Sequence, residues 1–333
     1  MEGFLRAARC VAQLAAQQLC GEPVTVSPAP LAPFINRIHW PLPEQLPLVS
    51  ILVPTRDRAD LVRNCVEGLL AGTAYENFEV LILDNDSAEP TTFRLFAELS
   101  ADRRVRVVPA PGPFNFSRIN NIGVNQARGE ILVFLNNDIE IDGGDWLREM
   151  VSHALRPDVG CVGARLLYGD RHVQHAGIVL QPGPLAMHVF RRRHESEVGF
   201  DAQLAGTRTY AAVTAACLAL RRSIFDRVGG FDERDLQVSF QDVDLCLKIE
   251  EIGYRNICTP FEPLLHLEGS SRSAEVTPEK HAHEQRELRC LVHRWNDRFH
   301  NDRFGHPLIR LDWENPERLV PPTQGVGVVD LVR

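Results

Sequence analysis

Four short apolar runs recur in the first half of the chain. They are LVSILV, EVLIL, VRVV and EILVFL, at residues 48–53, 79–83, 105–108 and 130–135. Stretches with helical spacing separate them, at about residues 60–71, 90–99 and 117–127. Apolar runs without polar alternation, separated by helices, are typical of a parallel sheet that is covered on both faces. The pattern predicts an α/β fold with a Rossmann-like, mostly parallel central sheet flanked by helices.

Three of these runs end in clusters of small polar residues. The clusters are Thr55-Arg56-Asp57, Asp84-Asn85-Asp86 and Asn136-Asn137-Asp138. A single polar cluster after a strand is explained by a turn or a helix cap. Three clusters at one edge favour a ligand site, because ligands bind outside the carboxyl ends of the strands in such sheets.

The second half has a more mixed pattern. Short strands are expected at residues 158–163, 177–180 and 217–220, and a long loop at residues 181–209. A helix at about 241–252 carries Asp242 and Asp244 in its first turn, and His266 ends a further apolar run. The last helix, at about 278–299, has few good capping residues.

The ends of the chain differ from this central part. Residues 3–20 favour a helix, and seven prolines within residues 21–47 predict an extended arm. We therefore expect an N-terminal helix and arm at 1–47, a single domain at 48–275, and a C-terminal helix and tail at 276–333. The N-terminal helix is expected to pack on this domain, with pairing in a homodimer and peripheral contact with a membrane as the alternatives.

Composition narrows the function classes. A net charge of −8 argues against a nucleic-acid-binding protein, which normally presents a basic surface. Eight cysteines without a CxxC pair predict free buried thiols in a reducing compartment. No apolar run approaches the ~20 residues needed to span a bilayer, and glutamines interrupt the N-terminal apolar stretch, unlike in a signal peptide. The expected location is the cytoplasm, with the inner face of the cell membrane as a peripheral alternative.

Individual polar residues allow two interpretations. Asp138 suits a divalent cation such as Mg²⁺ or Mn²⁺, which prefers carboxylate oxygen, but it also suits a turn that closes the strand. Asp242 is stabilised as an anion at a helix start, which fits a helix cap as well as a reactive carboxylate. His266 fits a core histidine or a ligand.

Six stretches in order decide between these interpretations. They are VSILVPTRDR, EVLILDNDS, FNFSRINNIGVNQARGEILVFLNND, YAAVTAACLALRRSIFDRVGGFDE, QDVDLCLKIEEIGYR and HLEGSSR. The series covers about residues 48–273 and resembles the inverting family-2 glycosyltransferases of the GT-A fold. The likeness is strongest to the bacterial, rhamnosyltransferase-like branch that makes surface polysaccharides.

The resemblance implies the ligands of the site. The donor would be a UDP- or dTDP-sugar, the acceptor a glycan or a lipid-linked glycan, and the cofactor Mg²⁺ or Mn²⁺. The residues that match the donor side in this family are Pro54, Thr55, Arg56, Asp84, Asn115, Ser117, Asn121 and Asn137.

The resemblance also implies the reacting groups. Asp138 matches the metal motif, and His266 matches the histidine that completes the metal or diphosphate site. Asp242 stands at the position of the catalytic base. The stretch Ala211 to Cys217 resembles the wall beside the acceptor.

Two departures from the family pattern affect this interpretation. Asn136 replaces the usual first carboxylate of the metal motif, which predicts weaker metal affinity and a larger role for His266. Gln241 replaces the usual Glu before the base, which removes a negative charge beside Asp242. The alternative is a degenerate module that binds a nucleotide sugar or scaffolds a partner without transfer. A nucleotidyltransferase is disfavoured, since PTRDRADLVRN lacks a glycine-rich phosphate loop.

Overall fold

The computed structural model of the chain describes residues 2–182, 186–267 and 277–305, and the backbone of 309–310 and 318–319. The helices are α1 Glu2–Cys20, α2 Ala59–Gly72, α3 Pro90–Leu99, α4 Phe116–Gln126, α5 Trp146–Ala154, α6 Arg222–Arg227, α7 Gln241–Glu251 and α8 Pro278–His300, with a 3₁₀ helix at Phe200–Ala205. The strands up to residue 167 are β1 Thr25–Pro28, β2 Asn36–His39, β3 Val49–Thr55, β4 Phe78–Asp84, β5 Val105–Pro109, β6 Ile131–Leu135, β7 Ile139–Glu140 and β8 Val159–Leu167. The later strands are β9 Val173–His175, β10 Ile178–Leu180, β11 Ala186–His188, β12 Arg208–Tyr210, β13 Cys217–Arg221, β14 Arg255–His266, β15 Ile309–Arg310 and β16 Arg318–Leu319.

The central sheet has a parallel half and a mixed half. Its strand order is β12-β14-β8-β13-β6-β3-β4-β5, with β7 beside β14 and β9 beside β8. Strands β6, β3, β4 and β5 are parallel to their neighbours in this series, which confirms the parallel sheet that the four apolar runs predict. Strand β13 runs antiparallel to both β6 and β8, and β14 runs parallel to β8.

The parallel half is buried on both faces, which explains its unalternating apolar runs. Ile51 and Val53 of β3 pack in the core layer that also contains the buried side chains of α2. Leu52 faces the opposite layer, which contains buried side chains of α4. Helix α4 approaches this face so closely that a Cβ at Gly123 would lie 2.6 Å from the side chains of Leu52 and Leu83. Glycine is therefore required at this contact.

The proline-rich arm forms a hairpin rather than an irregular segment. Strands β1 and β2 pair antiparallel with each other, outside the central sheet. Arg37 of β2 holds the hairpin on the domain through an ion pair of 3.1 Å with Glu149 of α5. Helix α1 lies against this hairpin with Ala16 buried, while Phe4 and Leu14 remain exposed. None of the helices in the described ranges, α1 included, combines the length and apolarity needed to cross a membrane.

The region that the sequence assigns to a long loop contains regular structure. Strand β11 pairs with β10 in a separate two-stranded sheet, a 3₁₀ helix follows, and β12 joins the edge of the central sheet. Strands of three residues are too short to give a periodic signal, which is why the loop prediction at 181–209 is wrong in part. The expectation of poor caps on the last helix is also wrong at its start, where the Thr277 side chain accepts the Lys280 N–H and Pro278 follows.

The cysteines are free, as the scattered pattern predicts. Five of the eight are buried, while Cys10 is exposed and Cys20 and Cys290 are half-buried. The expectation of buried thiols therefore holds for five cysteines but not for those of α1 or for Cys290 of α8.

Candidate active site

The polar clusters after β3, β4 and β6 meet at one edge of the sheet. Thr55 and Asp84 are paired neighbours at the ends of β3 and β4. The Asn137 amide donates a hydrogen bond of 3.0 Å to the Thr55 hydroxyl, and both side chains are buried. Strand ends that the sequence separates by up to about 80 residues are thus joined by direct contact.

Two aspartates in these clusters build the turns. Asp57 and Asp86 both adopt positive φ, at 53° and 58°, a conformation that Asp tolerates better than most residues. The Asp57 carboxylate accepts hydrogen bonds of 2.8 Å from two backbone amides after β4. The Asp86 carboxylate accepts one of 2.7 Å from Gly112. These two carboxylates shape the edge of the site.

Two other residues of this edge, Arg56 and Asp84, keep polar groups available for a ligand. Pro54 is half-buried near the end of β3, and Arg56 is exposed just beyond it. Asp84 is half-buried, and its Oδ1 accepts the Ser87 N–H at 3.0 Å. Among the residues that the structure describes, nothing hydrogen-bonds to its Oδ2 or forms an ion pair with Arg56. One carboxylate oxygen and one guanidinium therefore remain for a bound molecule.

Asp138 and His266 form a buried pair beside this edge. Pairing of Ile139 with His266 between β7 and β14 brings them together, and Oδ1 of Asp138 lies 3.1 Å from Nε2 of His266. The Asn136 amide nitrogen also lies 3.3 Å from Nε2. Residues about 130 positions apart in the chain thus share one small polar site.

The orientation of His266 fits a cation between the two side chains. Its Nδ1 lies 2.6 Å from the Gln174 amide oxygen, which can only accept, so Nδ1 carries the proton. The Nε2 lone pair then faces the Asp138 carboxylate, and such a contact is stabilised by a proton or a metal ion. Ligand bonds of about 2.1 Å at right angles place two ligand atoms about 3 Å apart, close to the observed spacing.

This pair could supply protein ligands to a metal ion. In residues 2–182, 186–267 and 277–305 no group of three or more His, Cys, Asp or Glu side chains is arranged to hold a metal ion. Mg²⁺ commonly uses one or two protein carboxylates together with substrate phosphates. Asp138 and His266 could therefore hold a divalent ion jointly with a phosphate-bearing ligand. The matching stretch beyond Leu267 lies outside the described residues.

Asp242 lies at the start of α7 and contacts the segment that precedes β13. Its Oδ2 accepts the Ala215 N–H at 3.0 Å, and its Oδ1 accepts the Val243 N–H at 2.9 Å. The carbonyl of Ala216, the residue after Ala215, accepts a hydrogen bond of 3.0 Å from the Asn136 N–H. Asp242 and the Asn136-Asn137-Asp138 cluster are therefore attached to adjacent residues of one segment.

Asp244, two residues further on, has a different environment. It is fully buried and accepts hydrogen bonds from Arg294 at 2.7 Å and Trp295 at 2.9 Å. The Lys248 ammonium lies 3.1 Å from its second oxygen. Asp244 connects α7 to α8, which is a structural role.

The arrangement of these residues agrees with the comparison to known families. The sequence model of glycosyl transferase family 2 matches residues 50–229, more than half of the chain. The chain belongs to glycosyl transferase family 2. The match spans the strand ends after β3, β4 and β6 and the segment that contacts Asp242.

Two curated relatives have similar sequences over most of this chain. The uncharacterised protein y4gI of Sinorhizobium fredii is 45% identical over 291 residues, which cover 87% of this chain and 32% of that protein. The O-antigen biosynthesis protein RfbC of Myxococcus xanthus is 44% identical over 249 residues, which cover 74% of this chain and 19% of that protein. The chain thus spans about a third and about a fifth of the length of these relatives.

Solved structures establish the GT-A fold of this glycosyltransferase. The mannosyltransferase PcManGT of Pyrobaculum calidifontis, in complex with GDP-Man and Mn²⁺, gives a TM-score of 0.53 at 20% identity, over 91% of this chain and 75% of that chain. GalNAc-T7, with UDP, GalNAc and Mn²⁺, gives 0.60 at 16% identity, over 78% of this chain and 50% of that chain. At these identities the likeness concerns the fold alone.

Three residues predicted for the donor side contact a loop instead of the strand edge. The loop covers residues 231–237 and leads into α7. Asn115 donates to the Glu233 carbonyl at 2.8 Å, Ser117 to the Leu236 carbonyl at 2.5 Å, and Asn121 to the Phe231 carbonyl at 3.0 Å. The structure thus brings these side chains to the loop before Asp242, a role that sequence reasoning missed. Their contact with the donor stays a prediction.

Two further residues of the glycosyltransferase escaped the sequence analysis. Gln174 orients His266, and no motif pointed to a lone Gln in a short strand. Glu287 of α8 is buried and accepts the backbone amides of residues 237–239 at 2.5–2.9 Å. It fixes the end of the loop that positions α7. Gln174 and Glu287 are polar residues that the fold buries, and the sequence around them is otherwise ordinary.

Proposed function

We propose that the chain is an inverting glycosyltransferase that moves a sugar from a UDP- or dTDP-sugar to a hydroxyl of a glycan or lipid-linked acceptor. We place this reaction in the synthesis of a bacterial surface polysaccharide. The observation that carries the proposal is the attachment of Asp242 and the Asn136-Asn137-Asp138 cluster to Ala215 and Ala216. The likeness to a protein named for O-antigen biosynthesis supports the pathway.

The nucleotide would bind across the ends of β3 and β4. The free oxygen of Asp84 suits the hydroxyls of a ribose, and the exposed Arg56 suits a diphosphate or a base edge. Pro54 and Thr55 form the floor of this edge, and Asn137 fixes the Thr55 hydroxyl at 3.0 Å. These five residues would therefore bind or shape the donor site before the reaction begins.

Asp138 and His266 would hold Mg²⁺ or Mn²⁺ on the donor diphosphate. A metal bound there supplies charge neutralisation for the leaving diphosphate. Gln174 holds His266 in the orientation that presents Nε2, as partners of metal-bound histidines commonly do. The Mn²⁺ in the two proteins of similar fold supports this assignment.

Asp242 would act as the general base for the acceptor hydroxyl. The N–H groups of Ala215 and Val243 hold its carboxylate in place, and the α7 N-terminus favours the anion. Each oxygen keeps a lone pair that can accept the proton when the hydroxyl attacks the sugar. Attack opposite the leaving diphosphate inverts the anomeric centre and needs no second carboxylate.

A covalent route through Cys65 has less support. Its thiol lies behind the metal motif, 3.7 Å from the Asn136 carbonyl. Burial, followed by the charge of Asp138, raises the pKa of Cys65 to about 12, so the thiol is protonated at neutral pH. Direct displacement by the acceptor is therefore the favoured route.

The test is a screen of nucleotide sugars followed by transfer assays. Thermal unfolding with UDP- and dTDP-sugars, with and without Mn²⁺, identifies the donor, because a ligand of the native state raises the apparent stability. NMR of the product then gives the anomeric configuration. Inverted product supports the proposal. Retention overturns the inverting mechanism, and donor binding without transfer to any glycan or lipid-linked acceptor supports the degenerate module instead.

A further inference from the structure

Arg165 of β8 is a buried charged side chain whose guanidinium has no partner among the described residues. It is only 5% exposed. Its Nε and Nη1 are enclosed and make no hydrogen bond. Nη2 also makes no hydrogen bond within the described residues, and it is less completely enclosed than Nε and Nη1. Across the described parts of the chain, no carboxylate forms an ion pair with Arg165.

The ionisable groups around Arg165 are unable to neutralise it. The Glu195 carboxylate already accepts two hydrogen bonds from Arg171, at 2.8 and 2.7 Å. Burial raises the pKa of Cys258 to about 12, so this neighbour is a neutral thiol. Burial also lowers the pKa of Arg165 from its ordinary value, but a guanidinium stays protonated in proteins. A buried charge without a counterion is strongly unfavourable, so an external anion would stabilise this site.

The position of Arg165 places it beside the acceptor side of the site. Residues 163, 165 and 167 of β8 share one face of the sheet. At one end of this row a Cβ at Gly163 would lie 2.6 Å from Val213, which belongs to the segment that contacts Asp242. At the other end Leu167 pairs with Leu265, the residue before His266. Arg165 thus lies between the segment next to the base and the strand end that carries the metal pair.

We propose that Arg165 forms an anion site that binds a phosphate or diphosphate group. The Nη2 amino group, at the less enclosed end of the guanidinium, has two N–H groups that can donate to phosphate oxygens. The group can be the phosphate ester of an acceptor or a free inorganic anion. Assignment to the acceptor rests on the proposed function, whereas the anion site itself does not.

The test uses thermal unfolding of the full chain with inorganic pyrophosphate, in EDTA and without nucleotide. Sodium chloride keeps the ionic strength constant. The wild-type midpoint should rise with pyrophosphate and reach a plateau. Arg165→Met keeps the volume and removes the charge, so it should be at least as stable without anions. Its pyrophosphate affinity should be weaker by about tenfold or more, as expected for loss of a charged hydrogen bond.

Two further variants keep the test decisive. Arg227→Met removes an exposed arginine of α6 outside the proposed site and should keep the wild-type response. Arg165→Lys keeps the charge, but its ammonium ends short of the Nη2 position, so it should bind pyrophosphate more weakly even if Arg165→Met fails to fold. Full wild-type affinity in either Arg165 variant, no response of the wild type, or an equal loss in Arg227→Met would overturn the proposal.

A second ligand distinguishes the two sources of the anion. Farnesyl diphosphate carries the same diphosphate on an isoprenoid chain. If farnesyl diphosphate binds the wild-type protein about tenfold more tightly than pyrophosphate does, the site is assigned to a lipid-linked acceptor. Equal binding of both ligands assigns it to a free anion. Because no metal, nucleotide or sugar is present, a negative result here leaves the proposed sugar transfer untouched.

Discussion

The two halves of the central sheet differ in how they build the active site. The parallel half, β6-β3-β4-β5, presents its residues directly at the ends of long buried strands, as Thr55 and Asp84 do. The mixed half, from β13 to β12, relies on short strands and contacts between distant residues, such as Gln174 with His266. The proposed donor site lies at the strand ends of the first half and follows from topology alone. The proposed base and the His266 side of the proposed metal site belong to the second half and depend on buried side-chain networks, so this half should be the more sensitive to single substitutions.

The largest effect is expected at Asp242 in the mixed half. Asp242→Asn is nearly isosteric and removes the proton acceptor, so turnover should fall about 10²- to 10⁴-fold. Donor affinity should stay the same, because the proton moves only in the transition state. Steady-state kinetics and calorimetry on the same protein separate the two effects.

Asp244 provides the matched control on the same helix. Asp244→Asn weakens the contacts with Arg294, Trp295 and Lys248. Breaking a buried pair is worth about 3–5 kcal/mol of stability. We expect a lower unfolding free energy with turnover per folded molecule preserved. Near-normal turnover of Asp242→Asn together with a catalytic loss in folded Asp244→Asn would move the base to Asp244.

A second prediction concerns Glu149, which connects the arm to the mixed half. Burial alone would raise the pKa of Glu149, but the hydrogen bond and charge of His153, the charge of Arg37 and the Thr259 hydroxyl outweigh it and hold the pKa at about 2. A depressed pKa stabilises the fold fully above the ordinary value of 4.5, and this contribution is lost as the pH falls toward about 2. This contribution to the free energy of unfolding amounts to about 3 kcal/mol.

Glu149→Gln isolates this contribution. Urea unfolding at pH 7 should show the variant less stable than the wild type, and the difference should shrink as the pH is lowered from 4.5 toward 2. A difference that stays constant over this range would show that the Glu149 charge does not hold the arm.

The third prediction tests the orientation of the metal pair. Gln174→Leu removes the acceptor of the His266 Nδ1 proton while leaving both proposed ligands in place. Loss of such a supporting partner typically lowers metal affinity about 10- to 100-fold. Electron paramagnetic resonance, recorded during Mn²⁺ titration in the presence of UDP or dTDP, gives the Mn²⁺ affinity. Unchanged Mn²⁺ affinity would remove Gln174 from the site.

The smallest effect is expected in the parallel half. Asp84→Ala removes a half-buried carboxylate at a strand end without opening the core. Nucleotide affinity should fall about tenfold, as expected for a charged hydrogen bond, with little change in unfolding free energy. If calorimetry gave unchanged UDP and dTDP affinity, the nucleotide would have to be placed elsewhere.

The same contrast explains what could be predicted from sequence. Strands β3, β4 and β6 are continuous apolar runs because both faces are covered, and polar residues at their ends therefore stand out. The parallel topology then places Thr55, Asp84 and Asn137 together without any knowledge of side-chain contacts. The family resemblance contributed the roles of Asp138, His266 and Asp242.

The supporting contacts of the mixed half could not be predicted in this way. Gln174 contacts His266 across 92 positions, and Glu287 caps a loop about 50 positions before it. No local periodicity reports such contacts. Asn115 illustrates the same limit, since its position suggested the donor side but its amide holds the Glu233 carbonyl across 118 positions.

The central claim is that both halves form one site, with the donor on the parallel half and the metal held jointly with the mixed half. The most direct test is calorimetry of UDP and dTDP binding with and without Mn²⁺, in the wild type, Asp138→Ala and His266→Gln. We predict that Mn²⁺ tightens nucleotide binding in the wild type and that this tightening is lost in both variants, while metal-free affinity is unchanged. Equal nucleotide affinity with and without Mn²⁺ in the wild type, together with full transfer activity in excess EDTA, would contradict the account.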